Sequence, residues 1–377
     1  MPRDGPDMNF DLTEEHQMLQ DMVARYLGEH HDFDAKRAIA RADGGFSRQL
    51  WERLADQLGI LGASFPESAG GTGGSALDTI VIARELGRAL VSSPYIPTIV
   101  TAGGLLARSG AAGLDMLRSI IAGQAVVAYC DGIGGAITVR KSGEDFVLDG
   151  KADLVIGGGW ADWLLVSARD ARGAVELFLL PSQAPGIDRR DHVTIDGGSA
   201  SDFRFSTAIV ADGGPILTGG TALDAIAAAE EEGEVALCAE ACGILRKMLE
   251  DTLEYARQRE QFGRAISAFQ VIQHRLVDMF MAVEQADAAT MLAGWSLDSP
   301  DRGKAVAAAK VQVAQACRGV GQAAIQIHGG IGMTDELPLG HYFRRATMIE
   351  RLFGAVDDNL RRYAELNRPV VQTEDAA

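Results

Sequence analysis

The 377-residue chain has only four cysteines, widely spaced at Cys130, Cys238, Cys242 and Cys317. They are too few and too scattered for a disulfide scaffold, and they fit a reducing compartment. Positive charge is also short, with 35 Lys+Arg against 52 Asp+Glu and a formal net charge of −17. Non-specific binding to DNA or to an anionic membrane needs a cationic surface, so neither is an expected partner. No run of about 18 uncharged apolar residues occurs, so no transmembrane helix is expected. The opening MPRDGPDMNFDLTEEHQ lacks the continuous apolar core of a signal peptide, and a cytoplasmic location is the expectation. Internal repeats and low-complexity tracts are missing too.

What is present is an ordinary globular balance, 47% apolar and 23% charged, with glycine in surplus at 44 residues. At roughly 150 residues per domain the length suggests two or three domains. The first hundred residues have helical spacing. DLTEEHQMLQDMVARYL places Leu12, Leu19, Met22, Val23, Tyr26 and Leu27 near one face, and Thr13 with His16 is a partial capping signal. Further helices are predicted over Arg48–Leu58, Leu77–Leu90, Val100–Arg108 and Leu114–Ile121, with FPESAGGTGG as a loop. Near Val126 the texture changes to short β-prone runs: Val126–Tyr129, Ala136–Arg140, Asp145–Leu148, Trp163–Ser167, Val175–Leu180, Phe203–Phe205 and Ala208–Val210. Their spacing and turn residues favour an antiparallel sandwich or barrel. Gly157-Gly158-Gly159 is not read as a phosphate loop, because no helix signal follows it. From about Ala222 long helices resume, over Val235–Arg257, Phe269–Thr290 and Lys304–His328, which implies an up-and-down bundle. The predicted fold is α+β in three domains: an all-α domain over 1–124, a middle β domain over 125–220 and a C-terminal four-helix bundle over 221–377.

Two motifs have chemical potential. Arg259-Glu260-Gln261-Phe262-Gly263 sits at a helix end, where Gly263 and the arginines read most simply as helix termination. Gln326-Ile327-His328-Gly329-Gly330-Ile331-Gly332 follows a long helix, and its three glycines permit positive φ and close approach of a flat or anionic ligand. A plain C-terminal loop explains it equally well. Other candidates are weaker. Cys238 and Cys242 have no histidine near them in sequence and read as small core residues, not metal ligands. His30-His31 and His341 lack ligand spacing, His328 reads as a loop contact that could touch a nucleotide, and Glu230–Glu232 reads as a solvated face or an acidic first helical turn.

Taken together and in this order, the motifs RQREQFGRAISAFQVIQHRLVDM, QAAIQIHGGIGMTDE and GHYFRRATMIERLFG resemble those of the acyl-CoA dehydrogenase family. The resemblance extends over essentially the whole chain, because the FPESAGGTGG loop and the GEDFVLDGKADLVIGGGWADWLLVSAR strand pair fit as well. The LCAEACG, FQVIQHR and HGGIGMT wording is most similar to the small-subunit type of pimeloyl-CoA dehydrogenase, a group of heteromeric enzymes acting on dicarboxylic or bulky acyl thioesters. The implied reaction is α,β-desaturation of an acyl-CoA or acyl-carrier thioester. A carboxylate takes the α-proton, FAD takes the β-hydride, and an electron-transfer flavoprotein takes the electrons. A homo-oligomer, or a heterotetramer with a second dehydrogenase subunit, is implied with it.

Carried over by residue, the resemblance assigns Arg259 to the FAD pyrophosphate with Gln261 and Phe262 beside it. It assigns Gln326, Gly329 and Gly330 to the flavin nucleotide across a subunit interface, with Gln270 a further contact. The flavin-ring segment falls on Tyr129–Gly135, which has no Thr, Ser or Pro, and the ring's Trp and Thr neighbours fall on Leu154 and Ile156. The commonest base position falls on Phe353, which cannot take a proton, and the alternative one falls near Gly233. Glu240, one or two turns further on between apolar neighbours, is the expected base; pairing with an arginine is its structural alternative. Three readings follow: a dehydrogenase subunit, a subunit lending Arg259, Phe262, Gln326 and Gly330 to a complete partner, and a flavin-free thioester protein. Since FAD and CoA are anions, each reading needs local cations such as Arg259, Arg344 and Arg345.

Overall fold

A computed structural model describes residues 12–42, 45–210 and 213–368; the first eleven residues of the opening segment lie outside them. The chain divides into two compact units, Met1–Ile244 and Leu245–Ala377.

The first unit opens with α1 (Glu14–His30), α2 (Phe33–Ala42), α3 (Arg48–Asp56) and α4 (Ala76–Arg88). The Thr13 signal is real, for its hydroxyl accepts the His16 amide at 3.3 Å and caps α1. Ser75 and Asp78 form a full capping box on α4. The loop before α4 contains a short 3-10 turn, Glu67–Ala69. A π-helix, Tyr95–Ala102, leads into α5 (Gly103–Arg108) and is followed by α6 (Ala111–Ile121). The sequence periodicity predicts only the end of that π segment, since a five-residue hydrogen-bond step shifts the apolar face.

Eight strands follow: β1 (Val127–Cys130), β2 (Ile137–Ser142), β3 (Asp145–Ile156), β4 (Trp163–Arg169), β5 (Val175–Pro181), β6 (Ile187–Val193), β7 (Ser199–Val210) and β8 (Leu217–Thr218). They form one sheet in the order β6-β7-β3-β2-β4-β5-β8, mostly antiparallel, with β1 parallel to β4. Its core is Ile137, Leu148, Leu164, Val166, Phe178 and Phe203, all buried. Two hydrogen-bonded ties hold the helices to this sheet. Arg48 forms a bidentate pair with Asp162 at 2.9 and 3.0 Å, and Asp162 also accepts the Val126 amide. The Thr98 hydroxyl donates to the Val127 carbonyl at 2.8 Å.

The long helix α7 (Gly219–Gln258) starts well before the predicted Val235. Its middle crosses α4 with almost no side chains between the backbones. A Cβ on Gly243 would lie 1.9 Å from the Arg84 carbonyl oxygen, and one on Gly87 would lie 2.2 Å from the Glu240 carbonyl oxygen. The acidic run here is not a solvated face. Glu232 is paired with Arg108 and Glu234 is buried, because α7 packs that side against the helices preceding the sheet.

The second unit contains the end of α7, a two-strand hairpin of β9 (Glu260–Gln261) and β10 (Arg264–Ala265), α8 (Gln270–Ser296), α9 (Arg302–His328), α10 (Pro338–Arg351) and α11 (Val356–Leu366). α9 is the central helix, in contact with α8, α10 and α11. All four cysteines are buried.

Burial makes the first unit sensitive to acid. His31, at the C-cap of α1, is nearly inaccessible, and desolvation holds its imidazole below the ordinary value, with the Leu90 backbone partly offsetting. Below pH about 6.5 the unfolded chain takes a proton that the folded one refuses. Stability should therefore be fully present above that pH and decline as pH falls toward the folded value, by at most about 1.4 kcal/mol per pH unit for this group. Urea midpoints at pH 7.5 and 5.5 check this: His31→Gln should flatten the difference, and an unchanged slope would rule His31 out as its source.

Candidate functional site

The second unit brings the two sequence motifs to the same end of its helices. Tyr255, one turn before Arg259, stacks on the His328 ring at 4.2 Å and points its hydroxyl at the His328 carbonyl oxygen, 3.3 Å away. His328 is accordingly a buried packing residue and not a loop contact, and its Nδ1 lies 2.9 Å from the Ala324 carbonyl oxygen. Desolvation, first, lowers its pKa from the ordinary value. Around this stack the surface is open. Gln326, Gly329 and Gly330 are exposed, Gly329 ends α9 at φ +66°, and a Cβ on either glycine would meet nothing within 4 Å.

The hairpin after α7 is the more informative half. Phe262 and Gly263 form its two-residue turn, both at positive φ (+53° and +77°), as a type I′ hairpin turn requires. Asn or Gly is the usual choice there, because an aromatic residue in the left-handed region costs about 1–2 kcal/mol. Phe262 is also 92% exposed, its ring set edge-on to that of Phe269. Arg259 and Gln261 are exposed beside it, as is Gln270 at the start of α8. The Arg259 guanidinium has no ion-pair partner among the described residues, whereas Arg264 lies over the Phe269 ring at 4.2 Å. An unpaired guanidinium, an outward aromatic ring and a glycine cradle fit the pyrophosphate and adenosine end of FAD.

Phe353, the commonest family position for the base, lies in a strongly built turn. Phe353 and Gly354 are both left-handed (φ +55° and +87°). The fully buried Lys310 of α9 donates to the carbonyls of Glu350 and Gly354 at 3.2 Å, and Asn359 donates to the Phe353 carbonyl at 3.0 Å. Glu350 in turn pairs with Arg318. The turn is therefore rigid, and no carboxylate stands at position 353. Sequence reasoning passed over Lys310, although a lone lysine inside AAAKVQVA was a visible signal.

In the first unit, Glu240 is half-buried on α7 with its side chain against Gly87 of α4, at the close helix crossing. The ring segment is folded in on itself. Ser167 accepts the Gly132 amide at 2.7 Å, Asp131 accepts the Ile133 amide at 2.8 Å, and the Gly132 carbonyl accepts the Gly135 amide at 2.9 Å. Tyr129 donates to Ser167 at 3.1 Å, and burial, with the Asp131 charge, raises its pKa far above the phenol range. Leu154 is left-handed (φ +54°) and 64% exposed, and its amide donates to Asp202 at 2.9 Å. These residues do not fit a flavin ring, which needs outward hydrogen-bond donors.

Residues 13–112 match the acyl-CoA dehydrogenase N-terminal domain, and residues 225–364 match the acyl-CoA dehydrogenase C-terminal domain. The acyl-CoA dehydrogenase FadE27 of Mycobacterium tuberculosis is 30% identical over 369 residues, 94% of this chain and 97% of that protein. Among solved structures, the ChsE4–ChsE5 complex from Mycobacterium tuberculosis superposes with a TM-score of 0.88 at 28% identity, covering 96% of this chain and 100% of that one. A variant of the Tcur3481–Tcur3483 steroid ACAD gives 0.85 at 27% identity, covering 94% and 97%. Full-length identity, matches to both terminal domains and the shared fold agree: the chain belongs to the acyl-CoA dehydrogenase family of oxidoreductases.

Proposed function

We propose that this chain is one subunit of an FAD-dependent acyl-CoA dehydrogenase built from two different dehydrogenase chains, desaturating a bulky or dicarboxylic acyl thioester at Cα–Cβ. The observation that carries the reading is the Phe262 turn, strained and exposed beside an unpaired Arg259, which is explained once it meets a ligand of a second chain. Two of the structural relatives are described as pairs, and one of those as a steroid enzyme, which supports a heteromer and a bulky acyl group. α8 also leaves Val271, Val277, Phe280 and Met281 exposed, an apolar face suited to burial against another subunit.

In this reading Arg259 neutralises the pyrophosphate, Gln261, Phe262 and Gln270 flank it, and Gln326, Gly329 and Gly330 hold the nucleotide by backbone approach. FAD, when bound, supplies the hydride acceptor, and an electron-transfer flavoprotein takes the electrons. The thioester is carried by CoA or by a carrier protein, and the setting is the cytoplasm. Among the described residues no helix is long and apolar enough to cross a membrane. Two carboxylate sources are open to the α-proton: Glu240 of this chain, or a carboxylate of the second chain.

The test is to co-express the chain with a second acyl-CoA dehydrogenase chain and purify the complex. Expected are a flavin band near 450 nm and acyl-thioester desaturation coupled to an electron-transfer flavoprotein. A flavin-free, inactive complex overturns the reading. Glu240→Gln in that complex then locates the base. A loss of about 10²–10⁴ in turnover places it here, and unchanged turnover places it on the second chain.

A further inference from the structure

We propose that the sheet of this chain does not accept a flavin ring at all, so the assembled enzyme carries one FAD for every two chains, its ring on the other subunit. This rests on the function proposed above and takes it one step further. The polar edge of a flavin ring presents carbonyl and ring-nitrogen acceptors, and a site for it must offer donors with nothing else to satisfy. Here the chain's own side chains and backbone carbonyls use those donors.

The amides of Gly132, Ile133 and Gly135 are taken by Ser167, Asp131 and the Gly132 carbonyl. Arg169, whose side chain reaches across the turn, donates to the carbonyls of Ile133 and Gly173 and locks the loop shut. The two hydroxyls nearby, on Tyr129 and Ser167, bond each other and Asp131. On β3 the one exposed amide that the left-handed Leu154 presents is capped by Asp202, and His192 clamps the other oxygen of that carboxylate at 2.8 Å. The next amide of interest, on Gly157, goes to the Ser199 carbonyl at 2.8 Å.

Two kinds of cost follow for a ring brought to this surface. Its carbonyl edge would have to displace hydrogen bonds to carboxylates, each worth more than an ordinary neutral one. It would also face Asp131 and Asp202, whose charge repels electron-rich oxygens. The Leu154 and Ile156 side chains offer nothing polar in return. The second unit is the opposite case, with Arg259 unpaired and the glycine cradle empty of protein atoms. The nucleotide end is open and the ring end is closed.

The purified chain alone, titrated with FAD, ADP and riboflavin, tests this. FAD and ADP should bind with affinities within about threefold of each other, riboflavin should not bind, and flavin fluorescence should stay near that of free FAD. Riboflavin binding, or FAD held more than about 100-fold tighter than ADP with its fluorescence quenched, would overturn the proposal. Flavin content of the two-chain complex is the second measurement, with one FAD per two chains expected and two per two chains contradicting it. These outcomes separate from failure of the function itself. A complex without flavin or desaturation removes the function, whereas a ring gripped by the isolated chain removes only the closed sheet.

Discussion

Gly243→Ala is expected to destabilise the Met1–Ile244 unit by about 2–3 kcal/mol. The added Cβ would lie 1.9 Å from the Arg84 carbonyl oxygen and 2.9 Å from the Arg88 amide nitrogen, so it meets backbone, which no rotamer change can move. Overpacking usually costs about 1–3 kcal/mol, and contact with rigid backbone puts this site at the upper end or beyond. Alanine returns about 1 kcal/mol of helix propensity, too little to reverse the sign. The internal control is Gly319→Ala on α9, where a Cβ meets nothing within 4 Å. There the same substitution should stabilise by about 0.5–1 kcal/mol. Urea midpoints with unchanged m-values read both, and a Gly243→Ala protein as stable as wild type would mean that α4 and α7 do not cross this closely.

The second large effect concerns the hairpin. In the two-chain complex, Arg259→Ala should weaken FAD retention about 10- to 100-fold, the worth of one charge-assisted contact to phosphate. Phe262→Gly should do two things at once. It removes the strain of an aromatic residue at φ +53°, raising the stability of the Leu245–Ala377 unit by about 1 kcal/mol, and it loses flavin on dialysis. A gain in stability coupled to a loss of cofactor is the signature of a residue kept for binding. If both variants retain flavin through dialysis as the wild type does, the hairpin is not the nucleotide contact.

Much of this architecture was legible beforehand, and the misses have identifiable causes. The predicted strands Phe203–Phe205 and Ala208–Val210 are one strand, β7, interrupted only in appearance by polar Ser206 and Thr207. Likewise Asp145–Leu148 continues through Gly150, which takes φ +140° at a register shift between β3 and β7 and bends the strand without ending it. β6 was missed because IDRRDHV is an edge strand with an almost wholly polar face, and alternation is visible only where one face is buried. The early start of α7 was hidden by Glu230–Gly233, a run whose burial depends on Arg108, more than a hundred residues earlier in the chain.

By itself, the sequence determined the order of helical and strand regions and the family, and it marked candidate residues for a nucleotide. Each of these rests on local spacing or on side-chain chemistry that does not depend on distant partners. It also showed that Leu154, Ile156 and Phe353 break the family pattern. Only the tertiary structure decided what those breaks mean. It paired Ser167 with Gly132, Asp202 with Leu154 and Lys310 with Gly354, contacts spanning 35, 48 and 44 positions of the chain. A hydrogen-bond donor is available to a ligand only if no such distant partner has already taken it, and that is a property of the folded chain.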